Sequence, residues 1–504
     1  MKGPTVTSPA IIPHWIEGAE HTANDPRTAP VYDPALGRQV REVALADEAT
    51  VNRAVETAHA AYLQWREVSL AKRTAILFRY RELLNARKQE LAKIITEEHG
   101  KVVDDALGEI ARGQEVVEFA CGITSHLRGD FSEQVSTGFD IHSVRQPIGV
   151  AAIVSPFNFP AMVPMWFFPI AIAAGNSVVV KPSEKNPSAA LWLAKLWQEA
   201  GLPDGVFTVI NGDKVAVDGL LTHPQVASMS FVGSTPIAQY VYETGTRNGK
   251  RVQALGGAKN HMLVLPDADL DLVADSAINA GFGSAGERCM AISVVVAVEP
   301  VADALVDKIV ERMRSLRVGD GRRGCDMGPL VTETHRDKVA GYIDIAAEDG
   351  ATVVVDGRGI EVDGDAAGFW LGPTLLDHVP VTSRAYTEEI FGPVLSIVRV
   401  KSFDEGLDLI NNGAFGNGTA IFTNDGGAAR RFQRDVQVGM IGVNVPIPVP
   451  IAAYSFGGWK QSIFGDTKAH GEEGVKFFTA QKAITTRWLD PSHGGINLGF
   501  PQND

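Results

Sequence analysis

A regular alternation of short β-branched runs with helical patterns begins at residue 149 and constrains the fold more than any other feature. Five segments are predicted strands: residues 150–154, 177–180, 206–210, 227–232 and 252–255. The helices between them are expected to begin near Pro187, Asp213 and Ser234. This alternation predicts a parallel sheet with right-handed crossovers, a scaffold that commonly binds dinucleotides at the carboxyl ends of its strands.

A second α/β block follows the first. Its predicted strands are residues 262–265, 292–298, 352–355, 395–400, 420–422 and 439–444. Ahead of both blocks, residues 49–127 carry apolar side chains at helical spacing. Residues 139–145 and 483–488 are predicted strands outside both sheets, and exposed strands of this kind often pair with another subunit.

The overall charge and the apolar stretches exclude several classes of protein. The formal net charge is −14 and no long Lys/Arg cluster opposes it, so we expect no nucleic-acid binding. The most apolar stretch, residues 157–180, is interrupted by Pro160, Pro164 and Pro169, which favours a buried helix and strand over a membrane span. Residues 1–25 carry no pattern of a signal or transit peptide, so a cytoplasmic location is expected.

The cysteine pattern indicates free thiols. Cys121, Cys289 and Cys325 form no CxxC pair and have no histidine spaced for metal ligation. We therefore expect a reducing compartment, no disulfide framework and no metal site.

The segment from Gly283 to Met290, GSAGERCM, is the sharpest chemical signal. Cys289 follows a glycine-rich approach and has a cationic neighbour, Arg288, which is expected to favour a thiolate nucleophile. The alternative is that Cys289 is a small buried hydrophobe. A G-x-G-x-x-G pattern follows helical sequence rather than a strand, so we expect it to permit close backbone approach and not to hold phosphate; its residues are Gly281, Gly283 and Gly286.

Several ordered motifs resemble the aldehyde dehydrogenase superfamily over nearly the full chain. The motifs are Phe157-Asn158-Phe159-Pro160, Lys181-Pro182-Ser183-Glu184, Phe231-Val232-Gly233-Ser234, Cys289, Glu388-Glu389-Ile390-Phe391-Gly392-Pro393 and Phe456-Gly457-Gly458. The resemblance implies an α/β fold with a Rossmann-type NAD-binding domain, an α/β catalytic domain and a small β oligomerisation extension. The NAD-binding domain would comprise residues 1–126 and 147–256, and the catalytic domain residues 257–445. The oligomerisation extension would comprise residues 127–146 and 478–504. It also implies a homo-oligomer, a dimer of dimers.

In such an enzyme Cys289 would attack the aldehyde carbon and, after hydride loss, carry a thioester. The first step creates an oxyanion, which the Asn158 amide and the Cys289 backbone N–H would stabilise. The alternative for Asn158 is a turn residue between two apolar segments.

The resemblance places the adenosine half of NAD near Lys181, Glu184 and Ser234. A carboxylate at Glu184 would accept hydrogen bonds from the ribose 2′-OH and repel a 2′-phosphate, so NAD is favoured over NADP. The Ser234 hydroxyl and the N-terminus of the following helix would hold the pyrophosphate. The alternatives are a polar loop before a helix for the first two residues and a simple N-cap for Ser234.

Glu389 and Phe391 match, again by resemblance, the pair that positions the nicotinamide ribose and ring. Ser155 and Phe157 are also expected to bind the cofactor. The alternatives are that Glu389 is a solvated acid and that Phe391 is an aromatic side chain of the core.

The sequence departs from most acid-producing members at the glutamate that activates water. Counting back from Cys289 places Leu255 at that position, and alignment from the other side places Ala254 there. Without a positioned base, attack by water should be slower by about 10²–10⁴-fold, which favours a thiol acceptor such as coenzyme A. Glu287 is an alternative base, although a structural role is expected so close to the nucleophile.

Two longer signatures resemble the methylmalonate-semialdehyde dehydrogenase branch, which acylates coenzyme A. They are Ala258-Lys259-Asn260-His261 and Gly286-Glu287-Arg288-Cys289-Met290-Ala291, with further matches at residues 112–118 and 211–214. The resemblance implies oxidation of methylmalonate or malonate semialdehyde to propionyl-CoA or acetyl-CoA and carbon dioxide, as in valine catabolism.

Such a substrate carries a carboxylate, and Arg112 and Arg288 are the candidate partners because a guanidinium can hold it bidentately. For each arginine a structural or solvent-facing role is the alternative. A hydrolytic semialdehyde dehydrogenase, a non-redox thiol acyltransferase and a non-catalytic protein on this fold remain as alternative functions.

Overall fold

The computed structural model describes residues 10–488. The first nine residues of the predicted NAD-binding domain and residues 489–504 of the predicted extension lie outside this range.

The strands, in chain order, are β1 (Ile11–Ile12), β2 (His14–Ile16), β3 (Ala19–His21), β4 (Arg27–Asp33), β5 (Arg38–Leu45), β6 (Phe131–Ser136), β7 (Phe139–Pro147), β8 (Val150–Val154), β9 (Ser177–Lys181), β10 (Phe207–Val209), β11 (Val226–Val232), β12 (Arg251–Leu255), β13 (Asn260–Val264), β14 (Ile292–Val298), β15 (Thr352–Val355), β16 (Thr374–Asp377), β17 (Val394–Val400), β18 (Phe415–Gly416), β19 (Gly418–Phe422), β20 (Met440–Val443), β21 (Trp459–Lys460), β22 (Ile463–Phe464) and β23 (Thr479–Arg487).

The α-helices are α1 (Glu48–Trp65), α2 (Leu70–His99), α3 (Val103–Cys121), α4 (Ile123–His126), α5 (Met162–Ala174), α6 (Ser188–Glu199), α7 (Lys214–Thr222), α8 (Thr235–Arg247), α9 (Leu270–Phe282), α10 (Ala302–Met313), α11 (Glu333–Glu348), α12 (Arg384–Thr387), α13 (Phe403–Asn412), α14 (Gly426–Asp435) and α15 (Gly471–Phe477). Short 3₁₀ turns cover Gly283–Gly286 and Gly321–Arg323.

The first sheet has eight strands in the order β22-β12-β11-β8-β9-β10-β2-β3. Its five central strands are parallel and correspond to the five strands predicted in the first block, with ends within one residue of the prediction. Every residue of β8 and β9 is buried, as expected for a parallel sheet covered on both faces. Helices α6, α7 and α8 each begin one residue after the predicted position.

The second sheet has seven strands in the order β15-β16-β17-β14-β13-β19-β20. All six strands predicted for the second block are present. Only β16 was not predicted, because its short run, TLLD, contains a single β-branched residue and ends on an aspartate.

A small third sheet lies outside the two large ones, in the order β23-β7-β6. The predicted strands at residues 139–145 and 483–488 are confirmed, and they pair with each other in antiparallel register from Thr479↔Pro147 to Arg487↔Phe139. Strand β23 begins four residues before the predicted start.

The apolar stretch at residues 157–180 forms α5 and β9, as predicted, and all thirteen residues of α5 are buried despite Pro169 within the helix. Helix α3 packs against both α2 and α5. No helix among residues 10–488 is both long enough and apolar enough to span a membrane. The α3–α5 contact brings Arg112 of α3 close to the segment that carries Asn158.

Candidate active site

Cys289 lies in a tight loop between α9 and β14. Three consecutive residues of the 3₁₀ turn before it have left-handed backbone, with φ of 54° at Ser284, 51° at Ala285 and 73° at Gly286. A Cβ on Gly286 would lie 2.2 Å from the Gly392 carbonyl oxygen. Gly286 therefore lets the cysteine loop approach the main chain at Gly392, and its approach to a reacting group stays a prediction.

Two asparagine amides hold the Cys289 main chain in place. The Nδ2 atoms of Asn260 and Asn417 donate to the Cys289 carbonyl oxygen at 2.9 and 3.2 Å. The same Asn260 amide donates to the Ala291 carbonyl at 2.9 Å. Asn417 had no sequence signal that linked it to the nucleophile.

The electrostatic environment of Cys289 differs from the expectation. Burial raises the pKa of the thiol to about 12, and the nearby Glu389 carboxylate contributes to the shift. Arg288 lowers the pKa of the thiol, in the direction expected from the sequence, but burial outweighs its effect. Its guanidinium also pairs with Asp105 at 2.6 Å.

Asn158 follows β8 and is buried beside the cysteine loop. Its Nδ2 donates to the Glu287 carbonyl at 3.1 Å, and its own carbonyl accepts from Lys101 Nζ at 2.6 Å. Lys101 is fully buried and also pairs with Glu109 at 2.8 Å. The second amide N–H of Asn158 has no acceptor among residues 10–488, so it can donate to another oxygen.

A cavity of about 570 Å³ brings Cys289 together with the two predicted arginines. Its apolar wall is formed by Phe159, Met162, Trp166, Ile447, Val449 and Phe456. Arg112 Nη1 pairs with Glu115, and Arg112 Nη2 donates to the carbonyls of Val449 and Pro450 at 3.0 Å. Both guanidiniums therefore face a mostly apolar cavity and already have protein partners. Asp105, the partner of Arg288, was not predicted from the sequence.

The predicted adenosine-side residues lie at one edge of the first sheet. Lys181 ends β9 and Ser234 follows β11, so both stand at the carboxyl edge of the parallel strands. Lys181 Nζ donates to the Gly212 carbonyl at 2.8 Å and lies 3.4 Å from Glu184 Oε2. The Glu184 side chain is 39% exposed.

The Ser234 hydroxyl makes no capping hydrogen bond to α8, so the simple N-cap alternative is not supported. The hydroxyl is free to meet a ligand at the helix N-terminus. Ser155, which follows β8, has a buried hydroxyl with no hydrogen-bond partner among the described residues. Two unused hydroxyls and a half-exposed carboxylate along one sheet edge fit a dinucleotide.

The predicted nicotinamide-side residues surround the cysteine loop. Glu389 Oε1 accepts from the Ala258 N–H at 2.9 Å, and burial raises the pKa of its carboxyl to about 7. Glu389 and Phe391 line a small cavity together with Cys289. Phe391 has φ of 60°. The alternative of a solvated acid at Glu389 is wrong. Phe157 and Phe391 stand edge to face, with ring centroids 5.9 Å apart.

No carboxylate is positioned to activate water at the expected point. Ala254 and Leu255 are both buried in β12. Among the described residues, the carboxylates that line the two cavities around Cys289 are already engaged: Asp105 by Arg288, Glu109 by Lys101 and Glu389 by the Ala258 N–H. Glu287 lines neither cavity.

Residues 10–488 also contain no cluster of three His, Cys, Asp or Glu side chains that could hold a metal ion.

The chain was compared with known proteins. The model of the aldehyde dehydrogenase family matches residues 21–484. A malonate-semialdehyde dehydrogenase of Pseudomonas aeruginosa is 52% identical over 491 residues, which is 97% of this chain and 99% of the relative.

Among solved structures, a methylmalonate-semialdehyde dehydrogenase of Oceanimonas doudoroffii superposes with a TM-score of 0.94 at 51% identity, covering 96% of this chain and 99% of that one. A Sinorhizobium meliloti protein solved in complex with NAD gives a TM-score of 0.95 at 48% identity, with 96% and 99% covered. The predicted α/β fold is confirmed by both superpositions. The chain belongs to the aldehyde dehydrogenase family.

Proposed function

We propose that the protein oxidises methylmalonate semialdehyde and malonate semialdehyde with NAD and transfers the acyl group from Cys289 to coenzyme A. The observation that carries the choice of acceptor is the apolar pair Ala254 and Leu255 where a water-activating carboxylate would stand. The malonate- and methylmalonate-semialdehyde dehydrogenases to which the chain is about half identical support the choice of substrate.

The proposed reaction begins when Cys289 loses its proton and its sulfur attacks the aldehyde carbon. The carbonyl oxygen becomes an oxyanion, which the free N–H of Asn158 and the Cys289 backbone N–H stabilise by hydrogen bonding. Loss of hydride from the resulting carbon leaves a thioester on Cys289. NAD, when bound, supplies the electrophilic ring that accepts the hydride. The residues that would hold NAD are Ser155, Phe157, Lys181, Glu184, Ser234, Glu389 and Phe391.

The cavity beside Cys289 supports a short, carboxylated substrate. Its wall is apolar, and its charged donors are the guanidiniums of Arg112 and Arg288. A substrate carboxylate would join or replace the Asp105 contact of Arg288, and charge-assisted pairing is strong where water is excluded. At the thioester stage the carboxylate lies β to a carbonyl, so carbon dioxide can leave as the electrons enter an enolate. The enolate carbon then takes a proton from solvent. The coenzyme A thiolate attacks the thioester carbon and releases Cys289 as a thiolate, which gives propionyl-CoA or acetyl-CoA.

The acceptor is tested by mixing enzyme, NAD and malonate semialdehyde with and without coenzyme A. Without coenzyme A we expect one equivalent of NADH per active site and then slow turnover, because no positioned base activates water. Coenzyme A should restore steady turnover, and mass spectrometry should identify the acyl-CoA.

Steady formation of a free acid without coenzyme A would show a hydrolytic semialdehyde dehydrogenase instead. The Cys289→Ala variant is the control: it should form no burst, whereas Cys325→Ala should behave as the unmodified protein. A burst in Cys289→Ala would remove the nucleophile assignment.

A further inference from the structure

A buried carboxyl group that the proposed reaction does not use lies directly behind the active site. Glu287 is fully buried two residues before Cys289. Its Oε1 accepts from the Val331 N–H at 3.2 Å, whereas Oε2 has no hydrogen-bond partner among the described residues. A buried polar atom without a hydrogen-bond partner lowers the stability of the fold, so its presence calls for a functional or structural explanation.

Two histidines from different helices bracket this carboxyl group. His99 Nε2, at the end of α2, lies 3.7 Å from Oε2, and His335 Nε2, in the first turns of α11, lies 3.6 Å from Oε1. We call Glu287, His99 and His335 the buried triad. Both imidazoles are neutral, because burial lowers the pKa of His335 to about 4 and that of His99 well below its ordinary value.

The triad contacts both segments that must be placed correctly for the reaction. The Glu287 carbonyl accepts the hydrogen bond that orients the Asn158 amide. His335 Nε2 lies 2.7 Å from the Phe391 carbonyl oxygen, at the left-handed residue of the nicotinamide-side loop. The rings of His99 and His335 also contact Phe157, with centroids 5.9 and 6.4 Å from its ring.

We infer that Glu287 is a positioning residue: its side chain, anchored on the Val331 N–H between His99 and His335, fixes the backbone carbonyl that aims the Asn158 amide at the oxyanion. The inference rests on the proposed roles of Cys289 and Asn158, and not on the choice of coenzyme A as acceptor. The carboxyl faces neither cavity lined by Cys289, so it acts through Asn158 rather than on the substrate.

The charged groups around Glu287 agree with a neutral acid near pH 7. Burial raises the pKa of Glu287 to about 8, against the opposing effects of the Val331 N–H, Lys185 and Lys101. Lys101 is already paired with Glu109, and Lys185 lies over the Phe157 ring at 4.6 Å. The acid therefore loses its proton only as the pH rises through about 8, and the anion then stands beside the donor of an oxyanion.

The test uses Glu287→Ala, Glu287→Gln and a matched control, Glu98→Gln. Glu98 is also fully buried and has a raised pKa, of about 7, but its carboxyl binds Ser188 and lines neither cavity around Cys289. The readout is the rate of the NADH burst with propanal and NAD, which needs no coenzyme A. Scanning calorimetry and the NAD dissociation constant are measured for every variant, so that loss of folding or of cofactor binding is seen separately.

Glu287→Ala should slow the burst about 10- to 100-fold, because the amide loses its fixed orientation. Glu287→Gln, whose amide resembles the protonated acid, should recover most of that rate below pH 7. By about pH 9 the rate of the unmodified protein relative to Glu287→Gln should fall about tenfold, since only about one tenth of a carboxyl with a pKa of about 8 stays protonated.

Glu98→Gln should show no such pH-dependent ratio. The inference fails if Glu287→Gln and the unmodified protein keep a constant rate ratio from pH 6 to pH 9, or if Glu287→Ala loses thermal stability but no burst rate. It also fails if Glu287→Gln loses only slow hydrolysis of the thioester, which would make Glu287 a base for water. Failure of the proposed function is distinguishable, since it would appear as a burst in Cys289→Ala.

Discussion

Cys289 must lose a proton before it can react, and its surroundings oppose that loss. The raised pKa follows from burial first and from the Glu389 carboxylate second. The neutral thiol therefore dominates at physiological pH, and the thiolate fraction is small until the substrate and cofactor change the site.

We predict that alkylation of Cys289 by iodoacetamide, in the protein without cofactor, rises about tenfold for each pH unit between pH 7 and pH 9. The reason is that the thiolate fraction grows in this way everywhere below a pKa of about 12. Peptide mass spectrometry at timed intervals measures the rate at Cys289 alone. A plateau near pH 7 would show that a cation keeps the sulfur ionised, as the sequence had suggested.

Arg112→Leu should weaken the use of a carboxylated semialdehyde far more than the use of propanal. Only the former offers an anion, and a lost charge-assisted hydrogen bond costs roughly 1.5–3 kcal/mol, or about 10–100-fold in kcat/KM. Steady-state kinetics with both aldehydes measures the difference. Because Arg112 also binds the carbonyls of Val449 and Pro450, an equal loss with both aldehydes would mean a purely structural arginine.

The sequence identified the side chains that sit in motifs but not those that arrange them. Cys289, Asn158 and Glu389 were predicted because each lies in a short pattern with chemical meaning. Lys101 binds Asn158 from 57 residues away, and Asn417 binds Cys289 from 128 residues away. Asp105 pairs with Arg288 from 183 residues away. A lone lysine, asparagine or aspartate carries no local signal of such a partner. Such partners become visible only when the fold brings them together.

At the level of single elements, we propose that the carboxyl end of β9 determines which dinucleotide is accepted. Glu184 stands just beyond this strand with a half-exposed carboxylate. A 2′-phosphate placed there would meet like charge in a partly desolvated site.

We predict that Glu184→Gln raises kcat/KM with NADP by about tenfold or more while that with NAD changes less, since about 1.4 kcal/mol of repulsion corresponds to a factor of ten. Steady-state kinetics with the two cofactors decides the question. Glu199→Gln, at the end of α6, is a matched surface control. An unchanged preference would place the ribose away from Glu184.

Periodicity predicted most of the long or buried elements and failed on most of the others. The parallel strands of both large sheets were predicted, apart from β16, because runs of β-branched residues are typical of buried strands. The sheet formed by β1, β5 and β4 was not predicted, because its strands are partly exposed and their polar residues resemble a loop. Strand β6 was missed for the same reason, since five of its six residues are exposed.

For the whole molecule, the small sheet β23-β7-β6 is the surface that we propose to join subunits. It carries exposed apolar side chains, among them Phe131 at 65% and Ile484 at 36%, with Trp488 at 66% directly after it. Apolar side chains grouped on a protruding sheet are typical of a surface that another chain covers.

Phe131→Asp combined with Ile484→Asp should lower the oligomeric state, because each substitution places a charge in an apolar contact. Light scattering after size exclusion measures the mass, with Leu63→Asp on α1 as the control for an exposed apolar residue elsewhere. If the unmodified protein is a monomer at micromolar concentration, the proposed homo-oligomer is wrong.

The late strands β22 and β23 have a consequence for how this chain is made. Strand β12 meets β22 in the pairs Ala254↔Phe464 and Leu255↔Ile463, and β7 meets β23 across more than 330 positions. A nascent chain that has just left the ribosome as far as residue 450 therefore carries two open strand edges, however well its earlier helices have formed. Open edges recruit other chains. During synthesis these two edges therefore stay open to other chains until residues 463–487 emerge and β22 and β23 pair with β12 and β7.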